Sequence, residues 1–172
     1  MILDMRPMQR GETDRITIHE SFSPRLPAGV ESTGDAQVTG DVTDQAGYMR
    51  LVLTVKVPYR TVCARCLDPV EGDFEVSLER TVADEKTLSE KQLEENVDEY
   101  AVIRDGMLDL DELVEEEVLL CFPMRVLCSP DCEGLCPKCG KPKRLGDCGC
   151  NLKEVDPRLA VLKTLLKEDE KN

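Results

Sequence analysis

Residues 128–150 read CSPDCEGLCPKCGKPKRLGDCGC, and six of the nine cysteines of the chain lie in this stretch. Two more form the pair Cys63-Ala-Arg-Cys66, so only Cys121 stands apart. A structural Zn²⁺ takes four such ligands in a closed tetrahedron. Eight clustered cysteines are enough for two all-cysteine sites. They predict one or two structural Zn²⁺ ions as a second source of stability beside the hydrophobic core.

The spacing of the cysteines suggests how they divide. In Cys136-Pro-Lys-Cys139-Gly140 the two cysteines can wrap one metal in a tight turn, and the glycine permits the positive φ that such a turn often requires. With the pair that follows, this motif predicts a zinc ribbon held by Cys136, Cys139, Cys148 and Cys150. The remaining ligand candidates would form a second site that clamps the β-rich part to the segment after the acidic helix: Cys63, Cys66, Cys128 and Cys132. A partition that exchanges Cys132 with a member of the ribbon set stays open.

Other uses of the cysteines fit the sequence less well. Disulfides need an oxidising compartment, but the N-terminus has no apolar secretory region, so a reduced, cytoplasmic protein without a membrane span is expected. A redox pair at Cys63 and Cys66 would need a helix after it, where strand is predicted. A rubredoxin-type iron site lacks a second Cys-x-x-Cys-Gly. A catalytic zinc site lacks histidine, because His19 lies in a distant strand-like segment. Cys121 is predicted to be a buried hydrophobe.

The chain of 172 residues predicts one domain, or one with a small appendage, and its core must be aliphatic because aromatic residues are 3%. Strands are expected at Gly34–Val42, Gly47–Val57, Phe74–Val82 and Glu99–Ile103, with a polar loop or marginal helix between the last two. Short turns between sequential strands favour an antiparallel meander or a partial barrel.

Two helices are predicted to complete an α+β fold. The first is acidic and runs over Asp109–Cys121, with Asp109 as N-cap and Glu112 placed to complete a capping box. The second begins after Asp156, a cap followed by a proline. We expect a β-rich domain over residues 1–127 and a cysteine-rich ribbon with the C-terminal helix over residues 128–172.

Charge suggests two contact surfaces. The formal net charge is −13, and residues 84–117 alone carry −11. The acidic helix face is a candidate for binding a basic protein, and it comprises Asp111, Glu112, Glu115 and Glu116. The ribbon instead carries a basic tip that could contact phosphate, made of Lys138, Lys141, Lys143 and Arg144. Solvation of the acidic face, and compensation of thiolate charge by the basic tip, are the simpler alternatives.

Several segments together resemble a known family. They are TVCARCLDPV at 61–70, LDLDELVEEE at 108–117, LLCFP at 119–123, CEGLCPKCG at 132–140 and DPRLAVL at 156–162. This combination is similar to the YceD family, bacterial and plastid proteins named for the accumulation of large-subunit ribosomal RNA. Its ribbon resembles the cysteine-rich version of the family, although residues 141–144 depart from the expected linker.

The resemblance implies a non-enzymatic role in large-subunit ribosome biogenesis, with no catalytic residues to carry over. The expected function is support of 23S rRNA accumulation, either as an RNA-binding factor or as an acidic adaptor for a basic ribosomal protein. The expected partners are therefore the pre-ribosomal large subunit, its rRNA or a basic ribosomal protein, and no small-molecule substrate. A zinc-ribbon transcription or protein-interaction module is the alternative function.

Overall fold

The structure, a computed structural model, describes residues 1–89 and 99–151. The chain divides into two compact units. The first contains Met1–Ala64 and Asp68–Cys128, and the second contains Arg65–Leu67 and the chain from Ser129 onward. The predicted domain boundary at residue 128 stays a prediction. The predicted C-terminal helix, and most of the polar segment before Glu99, lie outside the described residues.

The first unit is built on an eight-stranded sheet. Its strands follow the order β1-β8-β7-β6-β5-β4-β2, and β3 pairs with β5 beside this path. Their bounds are β1 Ile2–Asp4, β2 Arg15–Phe22, β3 Glu31–Ser32, β4 Ala36–Gln45, β5 Tyr48–Val62, β6 Pro69–Asp84, β7 Tyr100–Arg104 and β8 Met107–Asp109.

Most strand pairs are antiparallel, which confirms the predicted meander for β4, β5 and β6. The exception is β7, which runs parallel to the end of β6, with Thr81 opposite Tyr100. A tight hairpin cannot join parallel neighbours, and Asp84 and Tyr100 are accordingly separated by a longer stretch of sequence than the antiparallel strands β4, β5 and β6 are. The sheet therefore combines a meander with one crossover.

The sheet curls towards the predicted barrel without closing. Strands β1 and β2 are at opposite ends of the strand order, yet both line one cavity of about 260 Å³ together with Leu110. The interior is aliphatic, as expected from the scarcity of aromatic residues. The fully buried side chains include Val42, Leu51, Leu53, Val55, Val57 and Ile103, joined by Met5 and Met8 beside the short helix α1, Arg6–Gln9.

The acidic helix is α2, Leu110–Cys121, and it begins where predicted because the Asp109 carboxylate accepts a hydrogen bond from the N–H of Asp111 at 2.9 Å. Leu110, Val114 and Val118 are buried against the core. No helix within residues 1–89 and 99–151 has the length and apolar character needed to cross a membrane.

The prediction that Cys121 is buried was wrong. The buried face of α2 continues from Val118 at a spacing of four residues, so Phe122 takes the next core position and is 7% exposed. Cys121 lies about 100° away around the helix and is exposed. Its thiol donates a hydrogen bond to the Glu117 carboxylate at 3.2 Å.

Candidate metal centres

The first cysteine pair lies at the tip of the hairpin between β5 and β6. Val62 pairs with Pro69, and the N–H of Cys63 donates to the carbonyl of Asp68 at 2.8 Å, so the six residues between the strands form a closed turn. Leu67, directly after the second cysteine, has φ +62°. The turn leaves both Cys63 and Cys66 buried.

The second Cys-x-x-Cys turn has a similar shape. The N–H of Gly140 donates to the carbonyl of Cys136 at 2.8 Å, and Gly140 has φ +72°. A bridge between Leu135 and Pro142 holds the two ends of the turn together. In both turns, therefore, the residue after the second cysteine is left-handed. The sequence signals this only at the glycine, because leucine rarely adopts that conformation.

Four cysteine sulfurs converge at the hairpin turn and lie within 4.8 Å of one another: those of Cys63, Cys66, Cys128 and Cys132. Hydrogen bonds hold the segments that carry them. The N–H of Ala64 donates to the carbonyl of Val126 at 2.9 Å, and the Arg65 guanidinium donates to the carbonyl of Cys132 at 2.7 Å. Gly134 approaches so closely that a Cβ there would lie 3.0 Å from the carbonyl oxygen of Arg65.

The ribbon brings together a second set, whose sulfurs also lie within 4.8 Å of one another: Cys136, Cys139, Cys148 and Cys150. The one-residue gap of the last pair is accommodated by Gly149, which has φ +71° and donates its N–H to the Asp147 carboxylate at 3.0 Å. These two groups coincide with the two sets proposed from spacing. The structure does not form the exchanged partition in which Cys132 joins the ribbon set.

Both groups have the donor set and the dimensions of a tetrahedral thiolate site. A Zn–S bond of ~2.3 Å puts tetrahedral sulfurs about 3.8 Å apart, and the sulfurs here are already within 4.8 Å before any ion draws them in. Each group could therefore hold a metal ion. Four protein ligands would fill a tetrahedron, so neither group leaves a coordination position for a substrate.

The thiols of the ribbon group differ in pKa because their hydrogen bonds differ. Hydrogen bonds from the backbone N–H groups of Cys139 and then Lys138 lower the pKa of Cys136 to about 6. Hydrogen bonds with the sulfurs of Cys148 and Cys139 raise the pKa of Cys150 to about 12. The backbone of the turn thus favours a thiolate at the first ligand position, and the neighbouring sulfurs keep the last one protonated in the absence of metal. Metal binding has to displace such protons.

The predicted acidic contact residues differ in what surrounds them. Asp111 pairs with the ammonium of Met1, and Glu115 accepts a hydrogen bond from the backbone N–H of Arg25 at 3.4 Å. Glu112 and Glu116 are exposed, and in the part of the chain that the structure describes neither has an ion-pair or hydrogen-bond partner. Glu112 and Glu116 are thus the acids of this face without such partners among the described residues, and the contact role of the face stays a prediction.

The four predicted basic contact residues are all exposed in the second unit: Lys138, Lys141, Lys143 and Arg144. Lys143 and Arg144 lie in a 3₁₀ turn, Lys143–Leu145. Glu133 and Asp147 line the same cavity as Lys141 and Lys143, so the basic tip is partly offset by acids. His19 lies in β2, in agreement with the predicted strand, and it is exposed.

Sequence reasoning missed a groove of about 250 Å³ at the C-terminal end of α2, whose lining residues are mostly apolar but include Thr61 and Arg125. Leu119, Phe122 and Met124 line it from the helix end. In the sequence, only Leu119 and Leu120 indicated this surface, because they are apolar residues that lie outside the buried face of α2.

The chain was compared with known proteins. The family model described as "Large ribosomal RNA subunit accumulation protein YceD" matches residues 51–166. An uncharacterized protein of Mycobacterium tuberculosis (strain H37Rv) is 37% identical over 113 residues, which cover 66% of this chain and 53% of that protein. The uncharacterized protein YlbN of Bacillus subtilis is 27% identical over 171 residues, which cover 99% of this chain and 96% of that protein.

An uncharacterized protein of Mycobacterium leprae is 31% identical over 116 residues, 67% of this chain and 52% of that protein. The chain thus spans about half the length of the mycobacterial relatives that it matches. No solved structure matches the chain.

Proposed function

The chain belongs to the YceD family of large ribosomal RNA subunit accumulation proteins, and from that membership we propose that it is a non-enzymatic factor for 23S rRNA accumulation and large-subunit assembly. Its mode of action in this proposal is that of an acidic adaptor, which holds a basic ribosomal protein until rRNA receives it. The pre-ribosomal large subunit in the cytoplasm is the proposed setting.

The observation that carries the adaptor mechanism is the state of the acids on α2. Asp111 and Glu117 are paired with cations of the same chain, whereas Glu112 and Glu116 are exposed without partners among the described residues. Their charge is therefore available to a basic partner. The net charge of −13 favours encounter with such a partner by long-range attraction and disfavours phosphate.

Binding of defined large-subunit proteins tests this mechanism. Proteins extracted from purified large ribosomal subunits and freed of RNA are passed over the immobilised chain at increasing salt. We expect retention of at least one Lys- and Arg-rich protein, and at least a tenfold loss of its affinity in Glu112→Lys/Glu116→Lys, because each attractive contact becomes repulsive. The matched control is Glu20→Lys/Glu75→Lys, which makes the same change of charge at two exposed acids on β2 and β6. Equal losses in both variants would contradict a specific acidic surface.

Direct RNA binding is the second candidate, favoured by the four exposed cations of the basic tip. Each phosphate contact contributes just under one unit to the dependence of log K on log salt. Lys141→Glu/Lys143→Glu should therefore weaken binding of 23S rRNA fragments and flatten that slope by about one to two units. If the variant binds rRNA as tightly as the wild type, the basic tip is not the RNA-binding surface.

For both groups of four cysteines we propose structural Zn²⁺ as the bound metal. Thiolate sulfur in a closed tetrahedron is the donor set that structural zinc sites use. When bound, the ion would link the four sulfurs of each group, and in the ribbon group it would replace the thiol protons that now form hydrogen bonds between them. The chain contributes the two turns that place those sulfurs and the N–H donors at Cys136.

A further inference from the structure

We infer that the groove at the end of α2 and the two unpaired acids of the same helix form one docking surface, occupied by a Lys- and Arg-rich segment of a large-subunit ribosomal protein that inserts one bulky apolar side chain. This inference rests on the proposed function and specifies what the partner must look like. We define the docking surface by the side chains that carry the argument: Glu112, Glu116, Leu119, Leu120 and Met124.

The walls of the groove are held by hydrogen bonds of the first unit. One wall is residues 27–30, where the Thr61 hydroxyl donates to the carbonyl of Gly29 at 2.9 Å. The opposite wall is the chain after α2, held where the N–H of Ala64 donates to the carbonyl of Val126 at 2.9 Å. A groove fixed on both sides is preformed, which lowers the entropy cost of seating a ligand.

Aromatic packing fixes the base of the groove. Phe122 lines it and is 7% exposed, with its ring packed edge-on against Tyr59 and Phe74 at centroid distances of 5.2 and 5.1 Å. These contacts hold the end of α2 on the sheet. The groove therefore has a rigid apolar base of the kind that holds an anchoring side chain in protein interfaces.

The rim of the groove exposes large apolar side chains. Among the residues that line the groove, Met124 is 100% exposed, Val62 54% and Leu119 40%, and Leu120, which follows Leu119 on α2, is 76% exposed. Single exposed apolar residues are ordinary, but a concentration of them around a groove marks an interaction site. Exposing this patch to water is unfavourable, and an apolar side chain of a partner would remove that cost by covering it.

The acids continue this surface along α2. Glu112, Glu116 and the groove-lining Leu119 are spaced by four and then three residues and share one face of the helix, with Leu120 next to them. At 1.5 Å rise per residue, the two carboxylates lie about 6 and 12 Å along the helix from Leu120. A partner segment should accordingly carry its cations one and two helical turns away from its apolar anchor.

Charge disfavours a second copy, nucleic acid and anionic membranes as occupants of this groove. In a two-fold dimer the same patch meets itself, and the unpaired Glu112 and Glu116 of two copies would repel each other. Nucleic acid and anionic membranes carry the same sign of charge as these acids. The cations of a basic protein segment would complement the helix face, and its apolar anchor would fill the groove, where Arg125 keeps the cations outside.

The test separates the groove from the charges. The probe is the basic protein retained from the large-subunit extract, purified and titrated against variants of the full chain. Leu120→Ser/Met124→Ser should lower affinity at least tenfold at every salt concentration, because apolar contacts are not screened. Glu112→Lys/Glu116→Lys should lower affinity and reduce its salt dependence. Val52→Ser, at a site 38% exposed on β5, is the apolar control and should change affinity less than twofold.

Cross-linking identifies the occupant without relying on affinity. A photoreactive amino acid at position 120 should link to a peptide of the retained protein that contains Lys or Arg near a large apolar residue. Linkage to a second copy, to residue 152 or beyond in the same chain, or to rRNA would overturn the inference. If the wild-type chain retains no large-subunit protein, the adaptor function fails. If it retains one with unchanged affinity in Leu120→Ser/Met124→Ser, only the docking surface fails.

Discussion

Nη2 of Arg80 on β6 lies 2.7 Å from Oε2 of Glu117 on α2, and the two side chains are only 21% and 14% exposed. The other oxygen of the same carboxylate accepts the hydrogen bond from the thiol of Cys121. One carboxylate thus joins the helix to the sheet and holds the thiol at the helix end. Around the helix, Glu112 and Glu116 lie about 140° and 100° from Glu117, and both are exposed.

A double-mutant cycle should detect this ion pair. Arg80→Ala and Glu117→Ala should each destabilise the first unit, and the coupling between them should be about 1–2 kcal/mol, because the pair is shielded from solvent more than a surface pair. The measurement is the free energy of unfolding in urea. Arg50 and Glu79, an exposed pair at 2.6 Å, provide the comparison cycle, and a coupling no larger than theirs would contradict this prediction.

The reactivity of Cys121 should depend on Glu117. Hydrogen bonding to the carboxylate, followed by burial, raises the pKa of the Cys121 thiol, and only the thiolate is alkylated. Glu117→Gln removes the negative charge and should accelerate alkylation of Cys121 by iodoacetamide several-fold at pH 8. The rate is read at this residue by peptide mass spectrometry.

The pH dependence has a definite sign. The pKa of Cys121 is higher in the folded chain than in the unfolded chain. The protonated thiol therefore contributes its full stabilisation at pH values below the pKa in the unfolded chain. This contribution is lost as the pH rises through the pKa in the folded chain. The difference in alkylation rate between wild type and Glu117→Gln should also shrink above the pKa of Cys121 in the folded chain, because the thiol is then ionised in both proteins. Glu116→Gln is the control, and equal acceleration in that variant would rule out the local hydrogen bond as the cause.

The number of bound ions should follow the cysteine groups. Native mass spectrometry of protein purified without chelator should show two Zn²⁺. Cys136→Ser and Cys63→Ser should each remove one, because each variant breaks a different set of four thiolates. Loss of both ions in either variant would contradict two separate sites, and absence of metal from the wild type would contradict zinc altogether.

Gly40 should not tolerate a side chain. A Cβ at this position of β4 would lie 2.0 Å from the carbonyl oxygen of Val52 and 2.9 Å from the Cα of Leu53, both in the paired strand β5. Backbone cannot move aside as a flexible side chain can, so Gly40→Ala should destabilise the first unit by at least about 2 kcal/mol. Thermal unfolding compared with Gly47→Ala, where a Cβ meets no atom within 4 Å, separates crowding from backbone preference.

The sequence predicted what depends on near neighbours in the chain. The alternation of Phe74, Val76 and Leu78 indicated β6, and Asp109 indicated the start of α2, because both signals are contained within a few residues. The proposed division of the cysteines matches the two groups that the structure brings together, since Cys-x-x-Cys turns are compact local units.

Features that depend on distant segments carried no such signal. The parallel pairing of β6 with β7 is set by a crossover, not by any pattern within either strand. The left-handed Leu67 is held by the turn around it, against the preference of leucine. The groove combines residues 27–30, 61–64 and 119–126, three segments whose proximity only the fold creates.

The pairing of β1 with β8 sets a condition on the order of folding. Ile2 lies opposite Asp109, and the N–H of Leu110 donates to the carbonyl of Met1 at 2.9 Å. During synthesis, β1 cannot pair with β8 until more than a hundred further residues have been made. Contacts this distant in sequence slow folding, because the entropy of closing the long loop is lost before the contacts form. Until then, the nascent chain exposes apolar strands that its finished form hides.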